Sequence, residues 1–336
     1  EGNRLRIDGD LTGIPVSNTS KTYPNAAFGH MDDDIRLGYQ AGVVSIFSPT
    51  YGRLWLSGMH HPGDTVSSTQ AEALILEAEA KTHLHPMRRT DLLEKRISDH
   101  AQTMEPVLER LAAQQSNWEA AHQRLIESHT QVQERIVTLE RIEQIYQARN
   151  RPERPTSQLA LQRKRCQAAQ RRCQSRETAL QTAKRKLAKT QLRLEVLQSE
   201  AQALQQRLER FRQDNAANNC PIEAEFRLDA GFGSYHNIAL LIEMGYEIYT
   251  KPFNHQVIKF LRNKVQDTQS WHRVGNNAEM IAWPALQLNG CPYPLNVALE
   301  HFYTGKTRKY GVLCHFGTDP VTQDLPAWFE HYNGRQ

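Results

Sequence analysis

Apolar and polar residues alternate along Arg4 to Asp10 (RLRIDGD), with Leu5 and Ile7 on one side and Arg6, Asp8 and Asp10 on the other. That period of two predicts a half-buried strand. Thr12-Gly13 and Pro15 end it, and Asp8-Gly9 is the one alternative turn, although Leu11-Thr12-Gly13 starts no return strand. Tyr23 to Asp34 reads as loop. Tyr39 to Ser48 and Arg53 to Gly58 read as two further strands, joined by a tight turn at Pro49 to Gly52.

From Ser67 to about Asn219 the period becomes helical, with Ser67 or Ser68 as the expected cap. Ile97, Met104, Leu111, Trp118, Leu125, Val132, Leu139 and Tyr146 form an unbroken seven-residue ladder. Asn150 to Pro155, which contains Pro152 and Pro155, stops the helix. A second ladder follows through Leu159, Cys166, Cys173, Leu180, Leu187, Leu194, Ala201 and Leu208, with companions Ala183, Leu197, Leu204 and Phe211. Two ladders of equal length mirrored about Pro152 predict an antiparallel coiled-coil hairpin, each arm reaching roughly 75 Å at the rise of an α-helix. The ladder positions of Cys166 and Cys173 point to core filling rather than to metal binding.

Glu225 to Lys251 (EFRLDAGFGSYHNIALLIEMGYEIYTK) reads as strand, carboxylate, glycine turn, helix and strand, a βαβ unit of a parallel sheet. Asp229 falls at the carboxyl end of its strand, where sites in such sheets form. It is also placed to cap the next helix. Beyond it, His255 to Val265 reads as helix, Trp271 to Ala285 and Pro294 to Phe302 as strands, and Gly305 to Lys309 as a basic turn into a strand from Tyr310 to Phe316. Asp324 to Tyr332 begins a helix with Pro326 in its first turn.

Composition narrows the class. The 336 residues suffice for more than one structural unit, and there is no secretory signal or membrane-spanning apolar run. The five cysteines show no CxxC pair, so reduced thiols in a cytoplasmic protein are expected. A net charge of +4 does not by itself select a nucleic-acid partner. The charge is concentrated: the second helical arm is basic near the turn, from Arg149 and Arg151 through Arg163, Lys164 and Arg165 to Lys189 and Arg193. Such a run is either a solvated face paired with glutamates of the first arm or a phosphate contact. The chain starts at Glu1 rather than Met and stops after Arg335-Gln336, so a fragment is expected.

With the helical hairpin set aside, the order is three strands, helix, strand with Asp229, helix, strand. That is the order of the ribonuclease H-like fold. The residues also resemble the catalytic domain of a bacterial insertion-sequence transposase of the DDE type. IDGDLTG (Ile7 to Gly13) is similar to the first-aspartate strand, with Asp10-Leu11-Thr12 as its Asp-x-Thr and Asp8 as a competitor. RLDAGFGS (Arg227 to Ser234) with GYEIYTK (Gly245 to Lys251) is similar to the second-aspartate block. Tyr332-Asn333-Gly334-Arg335 resembles the opening of the family's Tyr-x-x-Arg-x-x-x-Glu signature, whose glutamate would lie past Gln336. The hairpin matches nothing in the family.

The resemblance implies an α/β fold, ribonuclease H-like, with the hairpin between the third and fourth strands. Residues 1–66 would hold the first three strands, 67–219 the helical insertion, 220–253 the rest of the core, 254–320 a β-rich insertion and 321–336 the start of the last catalytic helix. It implies Asp10 or Asp8, and Asp229, as ligands of Mg²⁺ (Mn²⁺ as substitute). Transposon-end and target DNA would be the partners, and the active species a homodimer in the bacterial cytoplasm, at the nucleoid. Tyr332, Arg335 and Lys251 would lie at the DNA, as would Lys306, Arg308 and Lys309 unless that turn is a solvated hairpin tip. Paired metal ions would neutralise the carboxylates and clamp the attacking and leaving oxygens of a phosphodiester. The competing readings are a chromosome-organising coiled-coil protein, for which no GxxxxGK[ST] loop is present, and a nuclease of the same fold without strand transfer.

Overall fold

β1 (Arg4–Pro15) extends beyond its alternating stretch because it is paired on both sides, antiparallel with β3 (Asp34–Ser48) and parallel with β5 (Glu223–Leu228). The structure, a computed structural model, describes residues 4–19, 22–31, 34–48, 50–149, 156–252, 255–266, 270–304 and 307–334, with backbone alone at 67, 255, 304, 307 and 308. It divides into two units, residues 1–94 with 208–336, and residues 95–207.

In the first unit, β2 (Ala27–Met31) and β4 (Gly52–Pro62) flank β3 on the edge away from β1. β6 (Glu247–Thr250) lies parallel to β5. β10 (Thr307–Phe316), β9 (Leu295–Thr304), β8 (Ala278–Leu286) and β7 (His272–Val274) then continue from β6, each antiparallel to its neighbour. The product is a ten-stranded mixed sheet.

Alternation sends the sheet's side chains to two faces. Ile7, Val44 and Phe226 meet Ile75 and Ala78 of α1 (Ser67–Thr82) around a small apolar cavity. α4 (Tyr235–Glu243), buried along most of its length, is the crossover between β5 and β6. On the other face α6 (Leu325–Asn333) lays Leu325, Trp328 and Tyr332 on Val274, Met280, Ala298 and Leu313. Asp324 caps α6 by accepting from Ala327 N at 3.0 Å, as its sequence suggests.

Four local expectations are corrected. Residues 27–31, read as loop, form β2: five residues with a central glycine give a weak β signal, and pairing with the near part of β3 supplies the rest. Trp271 to Ala285 is two strands, because Gly275 (φ 54°) opens a turn between them. Arg308 and Lys309 belong to β10, paired with Tyr303 and Phe302, so the basic turn is shorter than expected, and Gly305 and Lys306 lie outside the described residues. Neither Ser67 nor Ser68 caps α1: the cap is Val66, with no side-chain bond, and Thr69 Oγ1 donates to Val66 O at 2.8 Å.

Arg88 ties the base of this unit together. Its buried guanidinium donates to both oxygens of Glu79 at 2.8 and 2.7 Å, to Met244 O at 3.1 Å and to Asp214 at 3.0 Å. Asn215 holds the same residue's backbone N–H and carbonyl at 2.7 and 2.9 Å. Tyr246 Oη donates to Glu79 at 2.7 Å, so burial and then the Glu79 charge hold its phenol well above the ordinary value. A buried pair broken on one side costs about 3–5 kcal/mol, whereas an exposed pair is worth at most about 1. Arg88→Ala is therefore expected to lower stability by about 3–5 kcal/mol, and Arg210→Ala, which loses the exposed pair with Glu72 and a cation–π contact with Phe211, by less than about 2. Urea unfolding followed by tryptophan fluorescence measures both, and equal small losses would refute the role given to Arg88.

A second polar cluster closes the sheet where the parallel strands begin. Arg4 reaches Asp319 at 2.9 Å and also Glu247, Arg6 reaches Glu225 at 2.7 Å, and His331 Nε2 reaches Glu225 at 2.8 Å. Burial raises the Glu225 carboxyl, but the hydrogen bonds and charges of His331 and Arg6 outweigh it and bring it from 4.5 down to about 2. A depressed carboxylate stabilises the fold fully above its unfolded value and loses that contribution as pH falls through the folded one. Glu225→Gln is thus expected to flatten the acid limb of the stability profile between about pH 4.5 and 2, read as melting temperature against pH. An unchanged limb would show that other carboxylates carry it.

In the second unit, α2 (Thr90–Gln147) and α3 (Ser157–Ala217) pack together. Ile97, Met104, Leu111, Trp118, Leu125, Val132, Leu139 and Tyr146 are all half-buried, and Cys166, Cys173, Leu194, Leu197 and Leu204 are buried. His100 meets Glu200 at 3.2 Å, Arg176 donates to Arg124 O at 2.6 Å, and Arg163 donates to Glu143 at 2.9 Å. Early residues of one helix thus meet late residues of the other. The expected turn at Pro152, with Arg151 and Arg154, lies outside the described residues.

Candidate active site

The parallel register of β1 and β5 pairs Arg6 with Glu225, Asp8 with Arg227 and Gly9 with Leu228. The pairing ends there, and Asp10 and Asp229 are the next residue on each chain segment. Asp229 keeps an extended backbone (φ −76°, ψ 177°), so alternation continues through it and it shares the face of Arg227. Asp10 shares the face of Asp8. Arg227 Nε donates to Asp8 Oδ1 at 2.6 Å and Nη2 to Oδ2 at 2.8 Å, so these are one and the same face. Gly9 lets the strands lie flush: a Cβ there would run into Leu228 and Phe226 at 2.7 and 2.8 Å.

Arg6 with Glu225 and Asp8 with Arg227 are complementary rungs, and both are hydrogen-bonded. Asp10 and Asp229 follow the last pair, at the carboxyl ends of the two parallel strands.

The structure separates the two candidates for the first aspartate. Asp8 is buried and held by Arg227, and Arg53 Nη2 adds a contact at 3.2 Å. Asp10 is exposed; its carboxylate accepts from Leu11 N at 2.9 Å and from Thr12 Oγ1 at 3.4 Å. It opens on a cleft of about 400 Å³ walled by Asp8, Thr12, Ser45, Arg53 and Trp55. Asp229 accepts from Phe232 N at 3.3 Å and so caps the turn Ala230–Phe232, the capping role its position allows.

The expected DNA contacts are scattered. Tyr332 is buried, and its hydroxyl donates to Leu228 O at 3.0 Å, so it fixes α6 to β5 immediately before Asp229. Lys251 Nζ lies 3.1 Å from Glu300 and over the rings of Tyr332 and Phe302. Its ammonium is turned inward, where it draws down a Glu300 carboxyl that burial pushes up. Lys309 is exposed on β10. The Arg308 side chain, Lys306 and Arg335 lie outside the described residues.

Three residues of this site were missed in the sequence. Arg227 bonds Asp8 on β1 and also donates to His331 O of α6 at 2.6 Å. Its alternation with Glu225 and Asp229 is visible, its burial is not. Arg53 and Trp55 read only as parts of a hairpin, although Trp55 stands 73% exposed beside the Asp10 cleft. The donor set here, two carboxylates at strand ends, suits a hard divalent cation such as Mg²⁺, and Asp10 is the first-strand residue whose oxygens face an open cleft.

No family model matches the chain, and no curated protein matches it.

Substitutions at the two aspartates separate their roles. Asp8→Ala strands a buried guanidinium and is expected to cost about 3–5 kcal/mol, whereas Asp10→Ala is expected to stay within about 0.5 kcal/mol. Chemical denaturation of the two variants side by side is the measurement. The reverse order would reassign the structural role to Asp10.

Proposed function

We propose that the chain is the catalytic core of a DDE-type DNA transposase. Its frame would be a ribonuclease H-like sheet, with an antiparallel helical hairpin inserted between the third and fourth core strands. The observation that carries the reading is the parallel register of β1 and β5, which, extended one residue past its last pair, brings Asp10 and Asp229 to neighbouring strand ends. Support for the frame comes from the order β4, β3, β1, β5, β6, with β1, β5 and β6 mutually parallel and the others antiparallel. Support for the hairpin comes from the contacts that join early residues of α2 to late residues of α3.

In this reading Asp10 and Asp229 hold a divalent cation. Bound Mg²⁺ would supply charge neutralisation and lower the pKa of an attacking water. Asp8 is not a ligand. It fixes Arg227, which sets the strand register and holds the last turn of α6. Arg53 brings a cation to the cleft wall for a DNA phosphate, and the exposed indole of Trp55 offers a stacking face for a base freed from its partner.

The test uses the natural full-length protein and DNA that carries the ends of its own element. With Mg²⁺ it is expected to nick at the ends and to join the freed 3′-hydroxyl to target DNA. Asp10→Asn and Asp229→Asn should each reduce both steps to background while the fold is retained. Trp55→Ala should weaken end binding without changing stability. Nicking that survives both aspartate substitutions would refute the assignment, and nicking without joined product would make the protein a nuclease.

A further inference from the structure

We propose that the long helices carry a zinc-class metal site formed by His129 of α2 with Cys173 and Glu177 of α3. This goes beyond the DNA chemistry and does not depend on it. The three ligand atoms lie within 4.8 Å of one another. His129 Nε2 is 3.8 Å from Cys173 Sγ and 3.7 Å from Glu177 Oε1, and Nδ1 is 3.6 Å from the same sulfur. A tetrahedral zinc with ordinary bond lengths sets sulfur to nitrogen at about 3.6 Å and nitrogen to oxygen at about 3.4 Å. Both distances from the His129 nitrogen therefore stand within a few tenths of an ångström of coordination.

The local sequence explains the arrangement. Cys173 and Glu177 are four residues apart and so project from one face of α3. Cys173 occupies a buried position of the apolar ladder, and His129 follows the buried Ser128 of the facing seam. His129 and Glu177 are 59% and 49% exposed at the side chain, so the site is reached from solvent and a fourth position is left for water. The Cys173 thiolate and the Glu177 carboxylate together balance a dication. Thiolate, imidazole and carboxylate suit a borderline-soft metal rather than Mg²⁺. The other group of three potential ligands among the described residues, Glu247 with His315 and Asp319, already holds the Arg4 guanidinium against its two acids, and a dication there would have to displace a cation.

The site would clamp the two helices across their seam, at a ladder position that carries a cysteine where five of the eight positions carry leucine. Binding would release the thiol proton, so affinity should rise with pH.

The test is titration of the reduced 336-residue chain with Co²⁺ and then Zn²⁺. One equivalent of Co²⁺ is expected, with a thiolate-to-metal charge-transfer band in the near ultraviolet that Zn²⁺ removes. Cys173→Ser should abolish the band, and His129→Ala and Glu177→Gln, both at exposed side chains, should each weaken binding at least 10-fold with helicity unchanged by circular dichroism. Cys220→Ser, at an exposed thiol outside this unit, should leave the titration as it was. Absence of the band, a band that survives Cys173→Ser, or a band that disappears with Cys220→Ser would each overturn the site.

Discussion

The buried pair of Asp8 and Arg227 fixes the relation between the two strands on which the rest of the first unit is hung. Both side chains are nearly closed to solvent, at 7% and 3% exposure, so removing either partner leaves a buried group without its main contact. The contact is bidentate, the geometry in which a guanidinium and a carboxylate bind best. Breaking it by sliding β1 one residue along β5 would turn every side chain of β1 to the wrong face. The remaining arm of Arg227 reaches His331 O at 2.6 Å, placing a cation at the last turn of α6, where the helix dipole favours it. One arginine thus sets strand register and helix position together.

What the sequence made legible was what is local. The seven-residue ladders of α2 and α3 are written in one stretch each, and the burial of Cys166, Cys173, Leu194, Leu197 and Leu204 follows them. The βαβ unit was legible because Gly233 and Gly245 punctuate it and Ser234 caps α4, accepting from Asn237 N at 3.2 Å. β2 was not legible: its stability lies in β3, a partner supplied from outside its own five residues. Lys251 reads as a cation free for a phosphate, yet the tertiary fold sets a buried glutamate 49 positions later against it. The meaning of Arg227 needed a register between strands separated by some 200 residues, which no local pattern contains. Arg53, 45 residues from Asp8, and Trp55 were hidden likewise, because their place beside Asp10 follows only from β3 standing between their strand and β1.

The two ends of the parallel strands are built to opposite rules. Where the strands begin, Arg4, Arg6, Glu225, Glu247, Asp319 and His331 interlock with matched signs. The Glu225 carboxyl there is brought down to about 2 by His331 and Arg6 against the effect of burial. That end is a fastening. Where the strands finish, a cleft opens in front of Asp10.

The cations near the carboxyl ends of these strands already have acidic partners. Lys251 follows β6 directly, but its ammonium is held by Glu300 and packed on Tyr332 and Phe302. Arg53 stands on the cleft wall, but its guanidinium is directed at Asp8. The nearby cations are thus oriented toward other acids, and the carboxylate oxygens of Asp10 meet backbone and hydroxyl donors instead. The oxygens of Asp10 therefore stay at the cleft, while Lys251 and Arg53 are engaged by Glu300 and Asp8.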